Sequence, residues 1–161
     1  MLKKIISGGQ SGADLGGLEA AAYLGITTGG KMPLGFRTED GYHPEYADMY
    51  DVEELASGEY APRTRYNVVD SDATVIFGRV SSPGSKTTKK MCNDSDKPCL
   101  VVEEFSEMYF RLFGEFLQMY EVETLNVAGN RESKNPGLQQ KVYDFLIEAL
   151  GEDDDEFSAR A

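Results

Sequence analysis

Lys3-Lys4-Ile5-Ile6-Ser7-Gly8-Gly9-Gln10-Ser11-Gly12-Ala13-Asp14 decides how this chain folds. The β-branched pair Ile5-Ile6 runs into a loop with three glycines, and that loop opens onto an alanine-rich helical pattern. Strand, glycine turn and helix N-terminus together make the simplest anion cradle that backbone chemistry offers. Glycines allow close approach to a phosphate, and the first N–H groups of the following helix point toward it. The expected cradle therefore belongs to the first structural unit of the chain.

Outward from that stretch, short apolar runs alternate with helical patterns. Strands are expected at Lys4-Ser7, Ala73-Phe77, Pro98-Val102 and Thr124-Ala128, with a weaker one at Ile26-Thr28. Leu15, Leu18 and Ala22 share one face of the first helix. Leu112, Phe113, Phe116, Leu117 and Tyr120 form the stripe of another, and Leu138, Val142, Phe145, Leu146 and Leu150 that of the last. Alternation of this kind predicts an α/β, Rossmann-like three-layer fold: a mostly parallel sheet of about five strands with helices on both faces. The stretch from Gly29 to Tyr66 breaks the pattern. It reads as a long, partly ordered loop packed over the site, with a short helix near Arg63-Val68.

The bulk properties set limits. A chain of 161 residues, 40% hydrophobic and 27% charged, suits one domain that buries about two-thirds of its unfolded surface. Residues 1–150 are assigned to that domain. The run Gly151-Glu152-Asp153-Asp154-Asp155-Glu156 opens an acidic tail, 151–161, expected to stay solvated and disordered. A net charge of −12 argues against nucleic-acid or anionic-membrane partners. No apolar run is long enough for a membrane span, and the N-terminus lacks the core of a signal peptide. Cys92 and Cys99 lack metal-ligand spacing, and His43 is the only histidine, so no metal site is expected and a reduced cytoplasmic setting is.

In open α/β sheets, ligands bind outside the carboxyl ends of the strands. Three loops fall there: Gly8 to Asp14, Ser81 to Thr88, and Gly129 to Gly137. Each is rich in glycine, hydroxyl and amide groups, and two carry cations, which points to a phosphate- or nucleotide-like ligand. The spacing departs from two familiar motifs. A dinucleotide fingerprint would need glycine at Ser7 and an acid near Thr28-Gly29-Gly30-Lys31. A P-loop needs adjacent glycine and lysine, which Gly84-Ser85-Lys86-Thr87 separates.

Candidate ligand contacts are Gly8, Gly9, Gln10, Ser11, Gly12 and Asp14 from the first loop. Arg37 comes from the long segment, Gly84, Ser85, Lys86 and Thr87 from the second loop, and Gly129, Arg131, Ser133 and Lys134 from the third. Asp14 either contacts the ligand or caps its helix. Asp14 and Glu39 are the candidate general acids or bases. Tyr60, Tyr66 and Tyr109 either stack on a base or pack in the core. Asn67, Asp70 and Asp72 fit a buried polar network as well as catalysis.

Four ordered blocks carry a resemblance: Ile6 to Asp14, Pro33 to Gly41, Arg63 to Asp72, and Leu125 to Gly137. In these the chain resembles the circularly permuted YpsA-related branch of the SLOG superfamily, whose members are often labelled molybdenum carriers. The resemblance implies a Rossmann-like fold related to the lysine-decarboxylase-like (LOG) proteins. It also implies frequent homo-oligomers and a ligand that is nucleotide-derived or a pterin phosphate, such as the molybdenum cofactor. Ser11 stands where the family usually has Thr, Leu34 and Phe36 where basic residues are common, and Asn130 where Pro is common. The expected function is binding of such a phosphorylated small molecule, as carrier or nucleotide sensor. A phosphoribohydrolase or N-glycosidase acting on a nucleotide, and a non-catalytic interaction domain, are the alternatives.

Overall fold

The structure, a computed structural model of the chain, describes residues 1–151, so the acidic run after Gly151 lies outside the described residues. Its centre is a six-stranded sheet in the order β5-β2-β1-β8-β6-β7, with every neighbouring pair parallel. The strands are β1 (Lys4–Ile6), β2 (Thr27–Met32), β5 (Val52–Glu54), β6 (Ala73–Phe77), β7 (Cys99–Val102) and β8 (Thr124–Gly129). The chain runs leftward from β1 to β2 and β5, then rightward from β6 to β7, and its last strand closes the gap between the halves. The strand beside β1 is thus the last in sequence, where the common doubly wound order has the fourth.

Alternating side chains along the strands feed two layers. Ile5, Val75, Phe77, Leu125 and Val127 join one buried cluster with the helices α1 (Ala13–Leu24), α5 (Glu107–Met119) and α6 (Leu138–Leu150). Phe145 lies at its middle, with Phe110 stacked at 4.4 Å and Phe77, Phe105 and Phe113 meeting it edge-on at 5.3 to 5.8 Å. The helices α3 (Tyr60–Val69) and α4 (Pro83–Asp94) pack together on the opposite side.

The expected apolar strands and the α6 stripe are present, with ends moved by one or two residues. Ala22 is exposed, however, because α1 packs through Ala13, Gly16, Gly17, Ala20 and Ala21. These small residues bring it close: a side chain at Gly17 would meet Val127, and one at Gly16 the Gln139 carbonyl.

Gly29 to Tyr66 is not a loop. The weak strand expected at Ile26-Thr28 extends to Met32, and β5 adds a sixth strand beside it. Between them stand a two-stranded hairpin, β3 (Arg37–Thr38) with β4 (Gly41–Tyr42), and the short helix α2 (Tyr46–Tyr50). Met32, Tyr46, Tyr50 and Val52 form a second small core against Leu18. The short helix expected at Arg63-Val68 is the longer α3. Most of the second candidate loop, from Pro83 onward, is helix α4, capped by the Ser82 hydroxyl. No described helix is long and apolar enough to cross a membrane, and Cys92 and Cys99 are both free thiols.

Candidate functional site: a cationic cavity at the switch point

Where the two halves of the sheet diverge, beyond the carboxyl ends of β1, β6 and β8, a cavity of ≈ 640 Å³ opens between α3 and α4. Strand reversal makes a crevice at this place in any doubly wound sheet. Its walls carry four cations, Arg63, Arg79, Arg131 and Lys134, and one carboxylate, Asp14. That ratio is notable in a chain with 28 acids and 16 lysines and arginines. A larger open trough of ≈ 780 Å³ adjoins it, sharing Arg79 and Ser81, but there Glu103 and Glu104 offset the charges of Arg79 and Lys141.

Asp14 sits in the first turn of α1, 4% exposed, and Arg63 Nη1 donates to its Oδ2 at 2.8 Å. The Gln10 main-chain N–H donates to the same oxygen at 3.3 Å. Burial pushes the Asp14 carboxyl above its ordinary value, against the opposing pull of Arg63. Arg63 reaches Asp14 across Gly8, where any side chain would overlap the guanidinium: an added Cβ would lie 1.8 Å from Nη1.

Glu39, at the tip of the β3–β4 hairpin, ties the neighbouring loops together. It accepts from the Ser11 hydroxyl, from the Ser133 hydroxyl and from the Ser133 N–H at 3.0 Å, with Arg131 Nε 3.9 Å away. Burial opposes its ionisation, but these hydrogen bonds and the Arg131 charge outweigh that and hold its carboxyl below the usual range. Three guanidinium groups, those of Arg37, Arg63 and Arg131, lie 4.9, 5.2 and 5.6 Å from the centre of the Tyr60 ring. Each such contact is attractive to the cation, while the three like charges repel one another. Asp14 beside Arg63 and Glu39 beside Arg131 offset part of that repulsion.

Of the residues singled out from sequence, Gly8, Gln10, Asp14, Gly84, Thr87, Gly129, Arg131 and Lys134 line the cavity. Gly9, Ser11, Gly12, Arg37, Ser85, Lys86 and Ser133 do not. Ser11 and Ser133 are held by Glu39, Arg37 lies over Tyr60, Ser85 is buried beside Asn130, and Lys86 is exposed on α4.

The α1 N-terminus is not an open cradle. Gly12 N–H donates to Gln139 Oε1, Ala13 N–H to the Asn130 carbonyl and Leu15 N–H to the Gln10 carbonyl. Gly12, at φ +84°, lets the chain lie against Asn130 and Arg131, where a Cβ would come within 2.4 Å of the Asn130 oxygen.

Arg63, Asn67, Arg79, Ser82, Asn126 and Asn130 complete the wall and were not among the expected contacts. Asn67 hydrogen-bonds both main-chain groups of Lys31, at 2.9 and 3.0 Å, which places it in the polar network its sequence position allowed. Tyr60, Arg63, Thr64 and Asn67 recur at helical spacing, so a polar stripe facing the sheet was the available signal. Tyr66 is exposed and His43 stacks on Tyr46, both outside the cavity wall. Among the described residues, no group of three or more His, Cys, Asp or Glu side chains stands in a metal-binding arrangement.

An open parallel sheet with helices on both faces and a cationic crevice at its switch point defines a Rossmann-like α/β protein. Residues 5–150 match the model of the circularly permutated YpsA SLOG family, and the chain belongs to that family. It is also similar to the crystal structure of a "putative molybdenum carrier protein" from Syntrophus aciditrophicus SB. The two are 34% identical with a TM-score of 0.86, over 93% of this chain and 95% of that one. No curated protein is significantly similar to the chain.

Proposed function

We propose that the cavity between α3 and α4 binds a phosphorylated small molecule, nucleotide-derived or a pterin phosphate, which the protein carries or senses. The observation that carries this reading is the convergence of Arg63, Arg79, Arg131 and Lys134 on one crevice of a strongly acidic chain. Low-dielectric walls focus such a field and favour an anion there. Ser82 and Gly84 bring the N-terminus of α4 to the same wall, adding the positive end of its dipole, although Pro83 has no N–H and Ser82 takes those of Ser85 and Lys86. The Syntrophus protein's name points to the molybdenum cofactor as cargo. The cavity suits a compound of that kind: it has room for a ring system, cations for its phosphate and a polar floor at Gln10, Asp14 and Asn126.

Mass spectrometry of whatever survives gentle purification tests the proposal. A phosphorylated compound released from the wild type and absent from Arg131→Ala supports it. No bound compound, together with no thermal shift on adding nucleotides or molybdopterin, overturns it.

Asp14 supports a second reading, hydrolysis of an N-glycosidic or phosphoribosyl bond. A buried carboxyl pushed up from its ordinary value at a cavity floor is poised for proton transfer. Release of free base from a nucleoside monophosphate, lost in Asp14→Asn with binding retained, would establish it. We also propose a homo-oligomer in a reduced compartment. Met108, Leu112 and Met119 leave an exposed apolar stripe along α5 that a second copy would cover, which light scattering on the purified protein tests.

A further inference from the structure

We propose that the ligand lies in the cavity with its phosphate outward and an uncharged head inward, and that Gln10 selects a head bearing a carbonyl oxygen. This rests on the cavity being the phosphate-ligand site. Gln10 is 5% exposed and part of the cavity wall. Its Oε1 accepts from the Ser11 N–H at 3.0 Å and the Glu39 N–H at 2.9 Å, so two main-chain donors fix which way the amide faces. The Nε2 group is consequently held as a donor, and it is buried without a partner. Arg63 Nε is a second buried donor with no partner, beside the guanidinium nitrogen that binds Asp14. Native interiors satisfy nearly all such groups, and an acceptor brought by a ligand removes the penalty.

The charge at the floor decides what kind of acceptor fits. Asp14 accepts from the Gln10 main-chain N–H and from Arg63, and that pairing leaves the Arg63 charge already matched. This part of the wall therefore attracts a phosphate less than the more exposed cations do. The more exposed cations, Arg79, Arg131 and Lys134, hold the outer end. A neutral carbonyl oxygen supplies the acceptor that Gln10 Nε2 lacks and brings no charge to set against Asp14. An N–H next to that carbonyl meets Asp14 Oδ1, which takes no hydrogen bond among the described residues. The floor thus reads a lactam edge, and an amino group in place of the carbonyl would set N–H against N–H.

Calorimetric titration of the full chain with inosine 5′-monophosphate, adenosine 5′-monophosphate and ribose 5-phosphate tests this. The first two share sugar and phosphate and differ in the carbonyl or amino group of the ring. Wild type is expected to bind the inosine compound about tenfold tighter, or more, than the adenosine compound. Gln10→Glu keeps the oxygen that Ser11 and Glu39 need and replaces the donor with an acceptor, so it is expected to abolish that preference. Equal affinities in the wild type, which needs no variant, or a preference that survives Gln10→Glu, overturns the inference while leaving the phosphate site standing. Failure of all three compounds to bind overturns the phosphate site and this inference with it.

Discussion

Two stretches of chain meet at the cavity and divide its labour. The β1–α1 loop, Gly8 to Asp14, has the look of a phosphate cradle, yet its N–H groups are spent on Gln139, Asn130 and Gln10. Its glycines admit neighbours: Gly8 admits Arg63, and Gly12 admits the loop after β8. The segment from Gly29 to Tyr66, with the rest of α3, reads in sequence as a long, partly ordered loop over the site with a short helix near its end. It supplies Glu39, which ties the loops, and Tyr60, Arg63 and Asn67, which build a wall of the cavity. A glycine-rich turn after a strand marks the place where chain meets chain most closely. Whether its N–H groups remain free for a ligand depends on what packs against them.

Substitutions can break this contrast, and the largest effects belong in the glycine loop. Gly12→Ala puts a side chain against the Asn130 carbonyl in a backbone conformation that only glycine adopts readily. It is expected to cost on the order of 3 kcal/mol in urea unfolding, since strain and overlap add. Arg63→Ala strands the buried Asp14 carboxylate and is expected to cost about 3 kcal/mol at neutral pH. That deficit shrinks on acidification, because protonated Asp14 needs no cation. The sign follows from Asp14's own shift: its folded carboxyl is raised, so its contribution is present below 3.8 and falls as pH rises through the folded value.

Glu39 behaves in the opposite sense. Its folded carboxyl is lowered, so its contribution is present above 4.5 and is lost as pH falls through the folded value. Glu39→Gln should therefore destabilise the protein at neutral pH, with the gap to wild type closing in acid, as unfolding curves across that range will show. Gly8→Ala displaces a flexible side chain rather than backbone. Because Arg63 then loses its hold on Asp14, the substitution is expected to cost about 2 kcal/mol in unfolding, with ligand binding weakened as well. Tyr60→Leu removes three cation–ring contacts from a partly buried position and should cost the least, about 1 kcal/mol of ligand affinity by calorimetry.

The parts of the fold legible in sequence were those in which burial writes a pattern. Val75-Ile76-Phe77 is buried on both faces, and Leu138, Val142, Phe145 and Leu146 keep helical spacing. β5 left little trace because it is a three-residue edge strand with Val52 its one buried side chain. β2 was cut short because Gly29-Gly30 interrupts it, although Gly30 pairs with Val52 in register. At the site, Gln10, Asp14, Arg131 and Lys134 follow strands β1 and β8, and strand ends are where ligand contacts are sought. Arg63 and Asn67 come from the inward face of a helix, where polar side chains carry no strand-end signal and depend on a partner distant in sequence.

The most direct test separates a cation that lines the cavity from one that sequence alone placed beside it. Calorimetric titration with inosine 5′-monophosphate is to be run on wild type, Arg131→Ala and Lys86→Ala. Arg131 lines the cavity, whereas Lys86 is exposed on α4 outside the cavity wall. Loss of a cation contacting phosphate corresponds to about a tenfold weakening or more. That loss is expected for Arg131→Ala, with Lys86→Ala close to wild type. Weakening by Lys86→Ala with Arg131→Ala unaffected would contradict the account.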